Sequence, residues 1–183
     1  MVEALLLIAE VDDGRAALKL EPIDLDAWLR HSLETWAPAF EERDVTLSLR
    51  SAAGAALADR ALLDRVLSNL LDNAARHAAE SGGRVVLEAT READRVVITL
   101  DDGGPGIAEC DRERVFQRFV RLDRSLRGGS GGLGLAVARA VARRLGGQLH
   151  VAVSPLGGAR FVWLLPLAAP TRAAAHDAGA SPG

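Results

Sequence analysis

Residues 127–138, RGGSGGLGLAVA, are the strongest local indication of the fold of this chain. Five of the seven residues at positions 128–134 are glycines, and LGLAVARAVARRL follows with apolar residues every three or four positions, as in a helix. Backbone N–H groups left free at such a helix N-terminus favour a bound phosphate. A flexible Gly/Ser linker is the alternative, but a linker would not continue into an apolar-periodic helix. We therefore expect a polyphosphate-binding turn here.

The composition indicates one globular domain and excludes some partners and sites. The chain has 183 residues, 49% of them hydrophobic, and a net charge of -3, so we expect no nucleic-acid partner. Cys110 is the single cysteine, which excludes an internal disulfide and a cysteine-based metal site. The sequence shows no signal-peptide pattern and no apolar run of about 18 residues. We expect a cytoplasmic protein that makes no membrane contact through these residues.

Hydrophobic periodicity predicts the order of the elements. Residues 1–20 resemble the last turns of a helix and a connector, and the Ala/Gly/Pro-rich tail from residue 168 is predicted to be disordered. Helices are predicted from Asp24 to before Asp44, from the capping residue Asp59 onward, and from the glycine-rich turn to Leu145. Strands are predicted over residues 45–49, 55–58, 84–89, 95–100, 148–153 and 159–165. Residues 101–132 are predicted to be mostly loop, and a connection that long is usually functional.

The second predicted helix carries a polar edge. In NLLDNAARH, Asn69 and Asn73 are four residues apart and Arg76 and His77 follow one turn later. All four can therefore share one face while the leucines face the core. A carboxamide oxygen is a suitable ligand for Mg²⁺, which takes further ligands from water and substrate phosphates. An ordinary exposed helix face is the alternative.

A glycine-rich turn, DDGGPGI, follows the strand predicted over residues 95–100. Gly104 and Gly106 allow a planar ligand to approach the backbone closely. The carboxylate of Asp102 can accept a hydrogen bond from an exocyclic amine, which would distinguish adenine from guanine. The same residues also fit a plain turn after a strand.

Aromatic residues and arginines precede the glycine-rich turn. In FQRFVR, Phe116 and Phe119 lie beside Arg118 and Arg121, and two more arginines follow at positions 124 and 127. A guanidinium can bind phosphate oxygens through two N–H groups, so this loop could close over a nucleotide and present an arginine to its γ-phosphate. A solvated, charged turn is the alternative.

Five motifs occur in the order and approximate spacing of the N, G1, F, G2 and G3 boxes: NLLDNAARH, DGGPGI, FQRF, GGLGLA and, at residues 157–161, GGARF. Residues 20–166 therefore resemble the catalytic ATP-binding domain of bacterial sensor histidine kinases. The resemblance implies an α/β (α+β) two-layer sandwich, the Bergerat fold, with a mixed five-stranded sheet and three helices on one face. ATP would lie between the layers under a mobile lid, with Mg²⁺ bridging its phosphates. The resemblance also divides the chain into a remnant of the dimerisation hairpin with its linker (1–20), a catalytic domain (21–167) and a disordered tail (168–183).

The resemblance also implies roles for individual residues. Asn73 would be the Mg²⁺ ligand, Asp102 would recognise adenine, and Gly132 and Gly134 would bind phosphate. The residues expected to act in catalysis are Asn69, Arg76 and Arg121. The further positions expected to contact the nucleotide are His77, Gly104, Gly106, Ile107, Arg118, Arg127, Gly131, Leu133 and Leu135.

Two features depart from the family pattern. The acceptor histidine, normally followed by an acidic residue on the first hairpin helix, has no counterpart among the four histidines, which are His31, His77, His150 and His176. We therefore expect a kinase core without its own phosphoacceptor, which phosphorylates a histidine on the dimerisation domain of the same sensor kinase. A response regulator would act downstream, and the full-length parent would be anchored in the inner membrane. In addition, the first glycine of the G2 box falls on Ser130, with an extra Gly131 beside it.

The same fold serves hydrolytic ATPases such as gyrase, the MutL proteins and the heat-shock chaperones, as well as serine-directed kinases. Those relatives resemble one another in placing a Glu, which can act as a base, four residues before the metal-binding Asn. This chain has Asn69 there, and an Asn cannot take a proton. A histidine acceptor needs no such base, because a neutral imidazole already offers a lone pair. A non-phosphorylating ATPase and a regulatory nucleotide-binding module are the alternative functions.

Overall fold

The computed structural model describes residues 17–79, 83–122 and 132–167. The described helices are α1 (Leu25–Glu41), α2 (Arg60–Ala78) and α3 (Gly134–Arg144). The described strands are β1 (Glu21–Asp24), β2 (Thr46–Ala52), β3 (Ala55–Ala58), β4 (Arg84–Arg91), β5 (Arg95–Asp102), β6 (Gln148–Val153) and β7 (Ala159–Pro166). Two short 3-10 turns, Glu109–Asp111 and Arg114–Phe116, follow β5. The predicted opening helix, the predicted tail and most of the glycine-rich turn, including Arg127 and Gly131, lie outside the described residues.

Five strands form a mixed sheet in the order β2-β4-β5-β7-β6. β2 runs parallel to β4, whereas the other neighbouring strands are antiparallel. β1 and β3 form a separate two-stranded antiparallel sheet. The predicted mixed five-stranded sheet is confirmed, and each predicted strand is present.

One face of the large sheet is apolar and packs against the helices. Leu87, Leu100 and Phe161 lie at matching positions on neighbouring strands, and each is at most 1% exposed. Trp163 of β7 contacts Trp28 of α1 edge to face, with ring centroids 6.5 Å apart. Because side chains alternate between the faces of a strand, this apolar set covers one side of the sheet only. The helices and the sheet therefore form the two layers that the sequence predicts.

The main difference from the sequence prediction is the length of β5. This strand continues through Asp101 and Asp102, which are almost fully buried, whereas the sequence indicated the start of a loop there. Acidic residues are depleted in strands, so local propensity argues against this extension. β5 stays paired with β4 through Asp102, which lies opposite Val85. Two contacts with β7 also favour the extension: Arg160 pairs with Asp101, and the N–H of Ala159 donates to Asp102.

Helix caps confirm the predicted helix boundaries. The Asp24 carboxylate accepts a hydrogen bond from the Ala27 N–H at 2.9 Å at the start of α1. The end of α3 is fixed by Gly146, which has a φ of 75° and donates its N–H to the Arg143 carbonyl at 2.9 Å. Glycine adopts this left-handed conformation at little cost, which is why it commonly ends helices.

We expect replacement of Asp59 to destabilise the domain. Its carboxylate accepts the Leu62 N–H at 3.3 Å, which caps α2, and the Lys19 N–H at 2.9 Å, which fastens the chain before β1. Asp59→Ala removes both bonds and should cost about 1–2 kcal/mol, as losses of such caps do. Asp59→Asn keeps one acceptor oxygen for the cap, so it should cost less. Urea unfolding of both variants measures the difference, and equal losses would contradict a dominant role for the cap.

Candidate functional site

The structure brings the carboxyl half of α2, the end of β5 and the turn between β6 and β7 to one place. A Cβ atom added at Gly104 would lie 2.9 Å from the His77 carbonyl oxygen and 3.0 Å from Asp102 Oδ1. A Cβ atom added at Gly106 would be in ordinary contact with the backbone of Gly158. The N, G1 and G3 motifs, which are distant in sequence, therefore meet in the folded chain.

The side chain of Asp102 is buried at this place, and the residue is only 2% exposed. Its Oδ1 accepts hydrogen bonds from the Gly104 N–H at 2.9 Å and the Ala159 N–H at 3.0 Å. Its Oδ2 accepts no hydrogen bond from the part of the chain that the structure describes. One oxygen is thus fixed by the backbone, and the other is available as an acceptor.

Burial raises the pKa of Asp102 above its ordinary value. The two backbone hydrogen bonds and the charge of His77 act in the opposite direction, and the neighbouring Asp101 adds to the increase in pKa. Ionising a carboxyl group costs more free energy in this buried setting than it would in a solvated turn. The plain turn considered from the sequence does not account for this burial.

Gly158 closes the site from the β6–β7 side, and sequence reasoning did not single it out. A Cβ atom there would lie 2.5 Å from both the Asp102 carbonyl oxygen and the Gly104 nitrogen, and it would also collide with Asp102 Oδ1. Only a residue without a side chain leaves room for the bonds around Asp102. The GGARF motif, which contains Gly158, was the available signal in the sequence. It contributed to the family resemblance, but no contact with the ligand was predicted for it.

The polar edge of α2 is half-buried. Each of its four residues is partly exposed: Asn69, Asn73, Arg76 and His77. Asn69 donates its amide to the Arg65 carbonyl at 2.7 Å. Arg76 forms an ion pair with Asp72, with Nη2 and Oδ2 2.7 Å apart.

Two side chains of this edge differ from the other two in their contacts. Asn73 and His77 form no side-chain hydrogen bond within residues 17–79, 83–122 and 132–167. Their polar atoms are therefore available to a ligand, whereas the Arg76 guanidinium already donates to Asp72 through Nε and Nη2.

The segment after β5 is anchored to the rest of the fold through Phe116. This ring packs edge to face on Phe161, with centroids 6.4 Å apart, and the Arg139 guanidinium of α3 lies 4.7 Å from its centroid. Arg139 also donates to Glu113 Oε2 at 2.7 Å. Ile107 packs against the core at the beginning of the segment. The FQRF motif is therefore partly structural, because its first aromatic residue joins the segment to α3 and β7.

The FQRFVR segment is joined to the end of the glycine-rich turn, next to the start of α3. The Phe119 N–H donates to the Gly132 carbonyl at 3.0 Å, and Gly132 has a φ of 78°. Phe119 has a φ of 66° and is 59% exposed, and Arg118 and Arg121 are also exposed.

α3 begins at Gly134 and has no side-chain cap at its N-terminus. The preceding Leu133 is buried, and Leu135 packs against the core. Since no side chain among the described residues caps them, the first N–H groups of this helix can bind an anion.

Neither a protein-built metal cage nor a membrane span is found within the described ranges. No group of three or more His, Cys, Asp and Glu side chains there could hold a metal ion. None of the helices in those ranges is both long enough and apolar enough to cross a bilayer.

Comparison with known proteins agrees with this geometry. The family model described as histidine kinase-, DNA gyrase B-, and HSP90-like ATPase matches residues 58–169. The alginate biosynthesis sensor protein KinB of Pseudomonas aeruginosa is 36% identical over 171 residues, which are 91% of this chain and 28% of KinB. The ATP binding domain of PrrB from Mycobacterium tuberculosis has a TM-score of 0.67 and 30% identity, over 82% of this chain and 98% of that structure. Full-length ShkA in complex with AMPPNP has a TM-score of 0.78 and 28% identity, over 92% of this chain and 36% of ShkA.

The family match covers more than half of the chain and includes α2, β5, α3 and the β6–β7 turn. The chain spans about a third of the length of sensor proteins such as KinB and RstB of Escherichia coli. The chain therefore belongs to the histidine kinase-, DNA gyrase B- and HSP90-like ATPase family and contains the ATP-binding kinase core that sensor histidine kinases share.

Proposed function

We propose that this chain binds ATP with Mg²⁺ and transfers the γ-phosphoryl group to a histidine of a dimerisation domain. The observation that carries the proposal is the buried Asp102 carboxylate, with one oxygen fixed by two N–H groups and the other available to an amine. The likeness to KinB supports a role in two-component signalling, and the ShkA complex with AMPPNP supports ATP as the nucleotide.

In this proposal Asp102 recognises the 6-amino group of adenine, and Gly132 and Gly134 present backbone N–H groups to the phosphates. Arg118 and Arg121 contact the γ-phosphoryl group from the lid. Further contacts to the nucleotide come from Asn69, Arg76, His77, Gly104, Gly106, Ile107, Arg127, Gly131, Leu133 and Leu135.

Asn73 is the protein ligand that we propose for Mg²⁺. Its carboxamide has no hydrogen-bonding partner among the described residues, and an amide oxygen is a ligand that this hard cation accepts. Since the described residues offer no acidic cluster, the remaining ligands would be phosphate oxygens and water. A bound Mg²⁺ supplies neutralisation of the phosphate charge.

Transfer itself requires the chain to position ATP and to stabilise charge rather than to remove a proton. Phosphoryl transfer depends mostly on alignment and electrostatics, and a neutral imidazole attacks through its own lone pair. Asn69 occupies the position at which hydrolytic members of the fold carry a Glu base, and it donates to Arg65 instead. Arg121 would stabilise the charge that develops on the transferred group.

The partners that we propose are the histidine-bearing dimerisation domain of the same sensor kinase and a downstream response regulator. The reaction would take place in the cytoplasm, with the full-length parent anchored in the inner membrane. The net charge of -3 argues against a nucleic-acid partner.

Phosphotransfer in trans tests the function. The chain is incubated with γ-labelled ATP, with and without the dimerisation hairpin of its parent protein. We expect acid-labile, base-stable label on the hairpin and none on the chain. Transfer should be slow, because separate molecules lack the effective concentration that a covalent linker provides. Label on the chain alone, or rapid ATP hydrolysis without a labelled hairpin, would contradict the proposal and favour an ATPase.

The pKa of Asp102 gives a pH dependence of ATP affinity. The ionised carboxylate accepts the adenine amine, so affinity should fall as pH decreases through the pKa of Asp102. Because burial raises that pKa, the fall should begin at a higher pH than it would for an exposed aspartate. Calorimetry over roughly pH 4.5 to 8 measures it. Asp102→Asn is the isosteric control, because titration of the nucleotide itself affects both proteins equally. Identical pH profiles of ATP affinity for the two proteins would show that Asp102 does not contribute to the pH dependence.

A further inference from the structure

Asp101 and Arg160 form a two-bond ion pair on the opposite side of β5 from Asp102. Arg160 Nε lies 2.8 Å from Asp101 Oδ1, and Nη2 lies 2.8 Å from Oδ2. The Asp101 side chain is only 4% exposed, whereas that of Arg160 is 34% exposed. Both bonds of the guanidinium fork are therefore made to a carboxylate that water barely reaches.

This pair lies at the last register position shared by β5 and β7. The ladder between the two strands ends at Asp101 and Arg160. The next contact between them is the hydrogen bond from the Ala159 N–H to Asp102 Oδ1, which involves a side chain. The ion pair thus joins the two strands one residue before the bond that orients the Asp102 carboxylate.

Replacement of Arg160 would leave the buried Asp101 carboxylate without this ion pair. A buried carboxylate that loses its cationic partner among the described residues is strongly unfavourable, so we expect the strand end to shift and expose it to water. On the other side, Asp102 is fixed to β4, because it is paired with Val85 and the Gly103 N–H donates to the Arg84 carbonyl. A shift after loss of Arg160 would therefore separate Asp102 from Ala159 rather than from β4.

We propose that the Asp101–Arg160 pair positions the free oxygen of Asp102 for the amino group of adenine, so that Arg160 is a positioning residue for base recognition. This inference rests on the proposed function, in which Asp102 contacts adenine. Arg160 acts through Ala159 and Asp102 and does not touch the nucleotide. Its loss should therefore affect recognition of the base and leave binding of the phosphates unchanged.

The test compares ATP with purine riboside 5′-triphosphate, which has hydrogen in place of the 6-amino group. Dissociation constants are measured by calorimetry for the wild-type chain, Arg160→Gln and Arg95→Gln. Arg95 begins β5 and pairs with Asp94 at the far end of the same strand, so it is a matched control. We expect the wild type and Arg95→Gln to prefer ATP by roughly tenfold or more, which is the value of a buried hydrogen bond. In Arg160→Gln the preference should fall below about threefold, with affinity for the analogue unchanged.

The outcomes of this comparison distinguish the positioning role of Arg160 from the proposed function of Asp102. A wild-type chain that binds both nucleotides equally would remove adenine recognition by Asp102 and with it the proposed function of this residue. A wild-type preference that Arg160→Gln retains would overturn the positioning role alone, as would an equal loss of affinity for both nucleotides. If Arg160→Gln does not fold, Arg160→Lys replaces it in the test. Lysine keeps a cation beside Asp101 but cannot form both bonds of the guanidinium. The preference of Arg160→Lys for ATP should therefore be weaker than that of the wild type and of Arg95→Gln, but not completely lost. A full wild-type preference in a folded Arg160→Lys would likewise overturn the proposal.

Discussion

Gly158→Ala should weaken ATP binding by roughly 10- to 100-fold, which corresponds to the loss of a buried hydrogen bond. The added methyl group would lie 2.5 Å from the Asp102 carbonyl oxygen and the Gly104 nitrogen, and it would collide with Asp102 Oδ1. Two of these atoms belong to the backbone, so relief requires movement of the turn or of the strand end. Either movement displaces the acceptor that we assign to adenine. The variant should also lose about 1–3 kcal/mol of stability, as overpacked sites do.

Gly103→Ala is the matched control for this effect. Its added Cβ would have its nearest neighbours at 3.6 Å and 3.8 Å, which is ordinary van der Waals contact. Gly103 directly follows Asp102, so a general sensitivity of this turn to alanine would appear in both variants. Calorimetric titration with ATP, together with urea unfolding, compares them. Equal affinities of Gly158→Ala and the wild type would show that the space at Gly158 is not needed for binding.

The fold could be predicted largely from the sequence because its signals are local. Period-two and period-3.6 patterns locate the strands and helices, and Asp24, Asp59 and Gly146 mark helix ends through contacts within a few residues. β1 was not predicted, since EPID is short, contains a proline and is a strand only because β3 pairs with it. Its existence depends on a partner more than thirty residues away, which no local pattern shows.

The candidate site could be predicted only in part, for the same physical reason. The sequence located Asp102, but its hydrogen bond from Ala159 joins residues 57 positions apart. Likewise, Asp101 and Arg160 are an unremarkable acid and base until β5 and β7 pair. The ion pair of Arg76 with Asp72 spans four residues on one helix and could have been anticipated from spacing. From the sequence, Arg76 is predicted to contact a ligand, and this pairing is not among the predictions.

Asn73→Ala should abolish the contribution of Mg²⁺ to ATP binding and reduce phosphotransfer by about 100-fold or more, since changes around metal ligands already cost up to that amount. Asn73 lies on the half-buried edge of α2, where its carboxamide has no hydrogen-bonding partner within the described ranges. Its removal therefore breaks no hydrogen bond among the described residues, and Ala is the better helix former. We expect the variant to be at least as stable as the wild type, so that any loss of function cannot be attributed to unfolding.

The measurement separates the metal from the nucleotide by titrating ATP in excess EDTA and again in excess Mg²⁺. The wild type should bind ATP more tightly when Mg²⁺ is present, whereas Asn73→Ala should show the same affinity in both conditions and match the wild type in EDTA. Ser68→Ala is the control on the same helix, because Ser68 is also half-buried and donates only to the Arg65 carbonyl. It should retain the response to Mg²⁺ and the rate of transfer to the hairpin. If Asn73→Ala keeps the full gain from Mg²⁺, the ion is bound by phosphates and water without this carboxamide, and the proposed metal ligand is wrong.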